Sequence, residues 1–123
     1  MRKHLEPTQQ HPITIERNNT PISVKLAGDV ILASQSHLEL REATYPVVAY
    51  MPREDVNLDR LVRSDHTSWC PYKGEAAYYH IRTAGGDLIE NAVWTYETPF
   101  PAVAAIKDAL AVYTSKVDSI DLG

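Results

Sequence analysis

The chain has 123 residues, and its composition is that of one ordinary folded domain. Hydrophobic residues make up 44% and charged residues 23%, which excludes a fully disordered or collagen-like chain. The 12 basic and 16 acidic residues give a net charge of −4, the wrong sign for a general nucleic-acid binder. A single cysteine, Cys70, excludes an intramolecular disulfide and a multi-cysteine zinc cage.

The N-terminal residues 1–12 are polar and contain two prolines, so we expect a poorly ordered arm before a single β-rich domain at residues 13–123. This arm carries no apolar signal segment. The longest apolar stretches of the chain fall far short of the ~20 residues that a membrane span needs. Together with the lone thiol, these features predict a cytoplasmic protein without membrane contact.

Alternating apolar and polar residues predict a β-meander in the first part of the domain. Its strands are expected at residues 22–26, 30–33 and 37–41, after a short edge strand at residues 13–16. Residues 45–51 are almost continuously apolar, which is typical of a strand buried on both faces. The spacing of apolar residues after this strand then predicts one short helix near residues 55–62.

The second half of the chain predicts a polar loop, a hairpin and a second helix. The polar loop covers residues 64–74, and a helix near residues 101–113 begins at a proline. Adjacent glycines, Gly85 and Gly86, supply the positive φ that a tight hairpin turn needs. Further strands are expected at residues 75–81, 88–96 and 117–122. The pattern therefore predicts a mainly β (β-rich α+β) domain of antiparallel strands.

Three segments of the chain carry a family resemblance. They are residues 45–56 (YPVVAYMPREDV), 67–78 (TSWCPYKGEAAY) and 92–96 (AVWTY). With the later Ala-Val-Tyr at residues 111–113, they resemble domain-of-unknown-function family 427 over about residues 11–122. The resemblance implies a small domain of antiparallel sheets in a β-tent-like arrangement, in which two sheets lean together like a ridge.

Two properties of related proteins do not carry over to this sequence. Some β-tent relatives hold a structural zinc through paired cysteines, and this chain has only Cys70. The family is sometimes labelled nucleotidyltransferase-like, yet the chain lacks the Gly-Ser and paired-aspartate pattern of a two-metal transfer site. Its five histidines show no metal-ligand spacing. We therefore predict no metal and no other cofactor.

Two basic residues are candidates for holding an anion. Lys73 lies between Pro71 and Gly74, which a turn explains, but the turn does not explain the lysine itself. Arg53 follows Pro52 at the end of an apolar strand, where its guanidinium could bind a carboxylate or phosphate. The competing interpretation of both residues is a solvated or locally paired surface charge.

Aromatic residues on the predicted hairpin are candidates for a pocket wall. Trp94 and Tyr96 share one strand face by the period of two, and Tyr78 lies beside them if the turn sets a tight register. The competing interpretation is that these side chains are simply core. The candidate ligand-binding residues are therefore Arg53, Cys70, Lys73, Tyr78, Trp94 and Tyr96.

Cys70 is the only strong nucleophile in the chain, and Lys73 and His66 lie near it in sequence. In an enzyme, Lys73 would tune the thiol and His66 would transfer protons. The competing interpretation is that Cys70 is a small buried hydrophobe beside a turn proline. The candidate catalytic residues, if the protein is an enzyme, are Cys70, Lys73 and His66.

Three functions stay open at this point. The leading hypothesis is a small-molecule binding domain with a cationic, aromatic-lined pocket for an anionic ligand. The second hypothesis is an enzyme that uses Cys70 as a nucleophile or redox centre. The third is a non-catalytic interaction module that forms a homodimer through exposed strand edges.

Overall fold

The computed structural model describes residues 2–123, which form ten strands in three sheets. The strands are β1 (Ile13–Asn18), β2 (Ile22–Leu26), β3 (Asp29–Ser34), β4 (His37–Glu42), β5 (Val48–Tyr50), β6 (Leu61–Cys70), β7 (Gly74–Arg82), β8 (Leu88–Tyr96), β9 (Ala111–Val112) and β10 (Ser119–Leu122). The helical segments are short 3-10 helices at Arg53–Asp55, Pro101–Ile106 and Thr114–Lys116. The predicted mainly β class with antiparallel sheets is confirmed. None of these helices is long and apolar enough to cross a membrane.

Strand pairing differs from the predicted meander. Sheet A has the order β1-β4-β5, sheet B the order β10-β2-β3, and sheet C the order β6-β7-β8-β9. The chain therefore leaves sheet B after β3 and enters sheet A, where β4 pairs with β1 from Ile13 opposite Glu42 to Asn18 opposite His37. The meander prediction was wrong because alternation marks a segment as a strand without saying which neighbour it pairs with.

Both predicted helices are replaced by shorter turns. A 3-10 helix at Arg53–Asp55 ends at Val56, which is extended, in place of the helix expected near residues 55–62. The helix expected near residues 101–113 stops at Ile106, and the positive φ of Asp108 breaks any continuation. The apolar residues in both segments are buried, as Val56 and Ile106 show, but they are buried from short turns. Their spacing therefore does not mark one face of a helix.

The predicted polar loop at residues 64–74 is mostly strand. β6 extends to Cys70, which pairs with Gly74 across a tight turn. This strand forms one edge of sheet C, and its residues 65–68 are exposed to solvent. An edge strand that faces water carries polar side chains, which is why its sequence resembles a loop.

The core consists of two apolar clusters on sheet C. The first is shared with sheet B and includes Val24, Leu32, Ile81, Val93 and Leu110. The second is shared with sheet A and includes Leu40, Tyr50, Ala76, Tyr96, Val103 and Ile106. Burial of each large apolar side chain contributes roughly 1.5–3 kcal/mol, so these clusters hold sheets A and B against sheet C.

Residues 2–12 have no regular secondary structure, but they contact the turn between β6 and β7. The backbone N–H of Leu5 donates to the carbonyl of Pro71 at 2.8 Å. The indole of Trp69 donates to the carbonyl of Lys3 at 2.7 Å. These two hydrogen bonds attach the arm to sheet C.

Gly74 begins β7 with a φ of +110°, a conformation that residues with a Cβ rarely adopt, and an added Cβ would lie 3.4 Å from the carbonyl oxygen of Thr98. We expect Gly74→Ala to lower the free energy of unfolding by about 1–3 kcal/mol, measured by urea denaturation. Of the two hairpin glycines predicted to have positive φ, only Gly86 does, so the prediction was wrong for Gly85. The control is therefore Gly85→Ala, and its effect should stay below about 0.5 kcal/mol. Equal losses in the two variants would contradict the role of the backbone at Gly74.

Candidate functional site

A cavity of about 730 Å³ lies where the three sheets meet. Strands β2 and β10 of sheet B, β4 and β5 of sheet A, and all four strands of sheet C contribute to its lining. Within the described chain, the aromatic side chains that line it are Tyr45, Tyr50, Tyr78, Trp94, Tyr96 and Tyr113. Lys73, Tyr78, Trp94 and Tyr96 of the predicted ligand-binding set are therefore brought together at one cavity.

The register of β7 and β8 builds one wall of the cavity. Tyr78 lies directly opposite Trp94, and Tyr96 lies two residues further along on the same face, which confirms the predicted arrangement. From β5 of sheet A, the Tyr50 hydroxyl accepts a hydrogen bond from the Trp94 indole at 3.2 Å. The Trp94 ring also packs against Tyr113 with centroids 4.5 Å apart. We call these side chains the aromatic wall.

Hydroxyl groups give the aromatic wall polar contacts that stay uncharged at neutral pH. The Tyr78 hydroxyl lies 2.8 Å from Ser68 Oγ and 3.4 Å from the Tyr113 hydroxyl. Burial, together with the hydrogen bond to Tyr78, raises the pKa of Tyr113 to about 12. Burial likewise raises the pKa of Tyr50 and Tyr96 above the usual 10.0. These groups therefore offer neutral hydrogen-bond donors and acceptors.

A buried ion pair lies at one end of the cavity. The Lys73 side chain is nearly inaccessible, and its Nζ donates to Glu42 Oε1 at 2.5 Å. The second oxygen of Glu42 lies 2.7 Å from His11 Nε2, and the His11 ring stacks on Tyr72 at 4.0 Å. Burial would raise the pKa of Glu42, but the hydrogen bonds from Lys73 and His11 outweigh it and lower that pKa. Glu42 is therefore ionised and compensates the charge of Lys73.

The candidate catalytic residues are only partly brought together. Cys70 is half-buried, and its Sγ lies 3.5 Å from Lys73 Nζ. His66 precedes Cys70 by four positions on β6, which places the two roughly 13 Å apart along the strand. The exposed His66 ring lies instead against Tyr78, with centroids 4.6 Å apart. Neither Cys70 nor His66 is part of the cavity lining.

Arg53 lies on the other side of sheet C and does not line the cavity. Its Nη1 donates to the Tyr79 hydroxyl at 3.1 Å, and successive residues of a strand point to opposite faces, so Tyr79 faces away from Tyr78. Its Nε donates to the carbonyl of Asp108 at 3.0 Å. The structure therefore separates Arg53 from Lys73, although the sequence suggested that they form one cationic pocket.

A sequence profile described as "Domain of unknown function (DUF427)" matches residues 14–123, nearly the whole chain. The chain belongs to this family. No curated protein matches it. Every cavity-lining residue lies within the matched part of the DUF427 domain, whereas His11, which holds the outer oxygen of Glu42, precedes it.

Sequence reasoning missed several residues of the DUF427 cavity. Tyr50 lies inside the apolar run of residues 45–51, which predicts a strand buried on both faces, and Tyr113 lies at the end of the helix predicted near residues 101–113. Glu42 is one of 16 acidic residues, and no local pattern distinguishes it. The sequence feature that points to Glu42 is Lys73 itself. A lysine that is buried in a folded protein requires an acidic partner, so its presence in a tight turn predicts a carboxylate nearby.

Among residues 2–123, no three His, Cys, Asp or Glu side chains come close enough together to hold a metal ion. The contacts of the cavity suit hydrogen bonding and aromatic packing.

We expect Lys73→Met to lower the free energy of unfolding by about 3–5 kcal/mol, because Glu42 would keep a buried charge with only His11 as its partner. The double variant Lys73→Met/Glu42→Leu should recover most of this loss, because both charges are removed. Urea denaturation of the full double-mutant cycle measures the coupling. The control is Lys25→Met, which breaks an exposed pair with Asp121 and should cost under about 1 kcal/mol. Additive losses in the cycle would contradict a coupled pair.

The lowered pKa of Glu42 makes the stability of the DUF427 domain depend on pH. Folding lowers this pKa from 4.5, so the ionised carboxylate stabilises the fold above about pH 4.5 and loses its effect as pH falls through the folded value. We expect the difference in melting temperature between the natural chain and Glu42→Gln to be largest near neutral pH and to shrink in acid. Thermal unfolding across this range measures it, and a difference that grows in acid has the wrong sign.

Proposed function

We propose that the protein is a small-molecule binding domain whose cavity takes a planar, uncharged aromatic ligand. The observation that carries this proposal is the aromatic wall, in which fixed rings of Tyr78, Trp94 and Tyr113 border the cavity beside neutral hydroxyl groups. Aromatic rings pack well against planar ligands, and a few fixed hydroxyls orient a polar substituent.

The size and the entrance of the cavity support this proposal. A volume of about 730 Å³ lies inside the roughly 300–1,000 Å³ range of small-molecule sites. Tyr45, Val47 and Leu122 belong to its lining, and each exposes about half or more of its surface. Exposed apolar side chains at a cavity mouth favour the entry of an apolar molecule.

The charge of the cavity favours a neutral ligand over the anionic one expected from the sequence. That expectation needed Arg53 and Lys73 to act together. Lys73 is compensated by Glu42, and Arg53 contacts the opposite face of sheet C. An anion in the cavity would compete with a carboxylate already within hydrogen-bond distance of the ammonium, so its binding would gain little.

An enzyme that uses Cys70 is supported by one contact, the 3.5 Å approach of Lys73 Nζ to Cys70 Sγ. The same ammonium is held by Glu42, and His66 is too far along the strand to exchange a proton with the thiol. Binding without turnover therefore fits the geometry better. A homodimeric interaction module stays a prediction, and so does a cytoplasmic location, which the single free thiol favours.

Calorimetric titration with 2-naphthol, a neutral planar probe, tests the proposal. We expect it to bind and Trp94→Leu to weaken its affinity at least tenfold, because the ring that packs on the ligand is removed. The matched control is Trp69→Leu, which removes the other tryptophan, a residue outside the cavity lining, and should leave the affinity unchanged.

The anionic analogue 2-naphthoate, of similar shape, tests the charge preference. It should bind more weakly than 2-naphthol, since a negative charge gains little beside the compensated Lys73. Absence of 2-naphthol binding, or equal losses in the two tryptophan variants, would contradict the proposed site. Tighter binding of 2-naphthoate would contradict the neutral ligand and restore the anionic one.

A further inference from the structure

Two guanidinium groups converge on one phenol at the face of sheet C opposite the aromatic wall. Arg53 Nη1 donates to the Tyr79 hydroxyl at 3.1 Å, and Arg63 Nη1 lies 3.5 Å from the same oxygen. Both guanidinium carbons lie 5.5 Å from the centroid of the Tyr79 ring. Two like charges are thus held close to a single neutral oxygen atom, an arrangement that raises the local positive potential.

The charges in this cluster do not balance. Arg63 donates two hydrogen bonds to Glu97, at 2.8 and 3.1 Å, which hold the pKa of that carboxyl below its usual value. The donors of Arg53 meet neutral atoms, the carbonyl of Asp108 at 3.0 Å and Thr95 Oγ1 at 3.5 Å. Among residues 2–123, no carboxylate lies within ion-pair distance of Arg53. The cluster therefore has two positive charges and one negative charge.

The backbone holds the Arg53 guanidinium in place. Arg53 begins the 3-10 helix after Pro52 and is half-buried, so its side chain is not a freely moving surface arm. The hydrogen bond from its Nε fixes the guanidinium against Asp108, whose φ of +62° turns the carbonyl at this point of the chain. A fixed planar fork with unused N–H donors is suited to binding the oxygens of an anion.

We propose that Arg53 and Arg63 bind a phosphate group across the Tyr79 hydroxyl, at a site separate from the cavity. A phosphate dianion offers enough charge and enough acceptor oxygens to bridge both guanidinium groups. A carboxylate carries one charge and two oxygens, which accept hydrogen bonds from only one of the two guanidinium groups. Glu97 competes for Arg63 and repels an incoming anion, so its charge limits the affinity.

Titration with inorganic phosphate at low ionic strength, followed by calorimetry and by the arginine Nε–H signals in NMR spectra, tests the site. We expect Arg53→Gln to weaken phosphate binding at least tenfold, because one of the two positive charges and its N–H donors are lost. Glu97→Gln should strengthen binding several-fold, because the competing carboxylate becomes neutral. The matched control is Arg41→Gln, which removes an exposed arginine paired with Glu39 and should leave phosphate binding unchanged.

Further probes and one further variant distinguish a phosphomonoester from free phosphate, and a loss of binding from a loss of folding. Tighter binding of phenyl phosphate than of inorganic phosphate assigns the site to a phosphomonoester, and equal binding assigns it to free phosphate. Arg53→Lys keeps the charge without the fork and should also bind phosphate weakly, which covers the case in which Arg53→Gln does not fold. Equal losses in Arg53→Gln and Arg41→Gln, or weaker binding in Glu97→Gln, would overturn the proposal, and so would acetate binding as tightly as phosphate.

Discussion

The ion pair between Lys73 and Glu42 determines how sheet A is placed against sheet C. Glu42 ends β4 in sheet A, and Lys73 lies in the turn between β6 and β7 of sheet C. A buried ammonium without a partner costs several kcal/mol, so the two sheets must meet where this pair can form. His11 binds the other carboxylate oxygen, and the N–H of Phe100 donates to the Lys73 carbonyl, so two further segments are fixed at the same point.

The cavity follows from this placement together with the polar atoms of its aromatic side chains. Apolar side chains alone would pack together and fill the space between the sheets. Trp94 and Tyr50 instead join through an indole-to-hydroxyl hydrogen bond, and Tyr78 joins Ser68 and Tyr113 through its own hydroxyl. Each ring is thus held by its polar end, since moving inward would leave a buried polar group unpaired. These hydrogen bonds therefore oppose movement of the rings into the cavity.

The features that could be predicted from sequence are those set by local periodicity. The strand at residues 88–96 and the shared face of Trp94 and Tyr96 depend on alternation, and both are confirmed. The exact pairing of Tyr78 with Trp94 depends on a register shift between Tyr79 and Ile81, which the two-glycine turn does not predict. The pairing of β1 with β4 depends on contacts between residues 19 to 29 positions apart, and the pairing of Lys73 with Glu42 spans 31 positions. No local pattern encodes contacts at these separations. The two helix predictions were wrong for a related reason. A short run of spaced apolar residues predicts that these residues are buried, but it does not determine the backbone conformation of the segment.

Consecutive tyrosines on β7 mark the two opposite faces of sheet C on which Lys73 and Arg53 lie. Tyr78 faces the cavity, and Tyr79 faces the opposite side of sheet C. A side chain that contacts Tyr79, such as that of Arg53, is therefore separated from the cavity by the sheet. The charged side chains Lys73, Glu42 and Glu39 line the cavity, and Lys73 is paired with Glu42, so the cavity has no uncompensated positive charge from the described residues. Arg53 is half-buried, where water compensates part of its charge, so it can stay without a carboxylate partner. The two cations therefore differ in burial and in pairing: the buried Lys73 is compensated by Glu42, and the more accessible Arg53 has no carboxylate within ion-pair distance among residues 2–123.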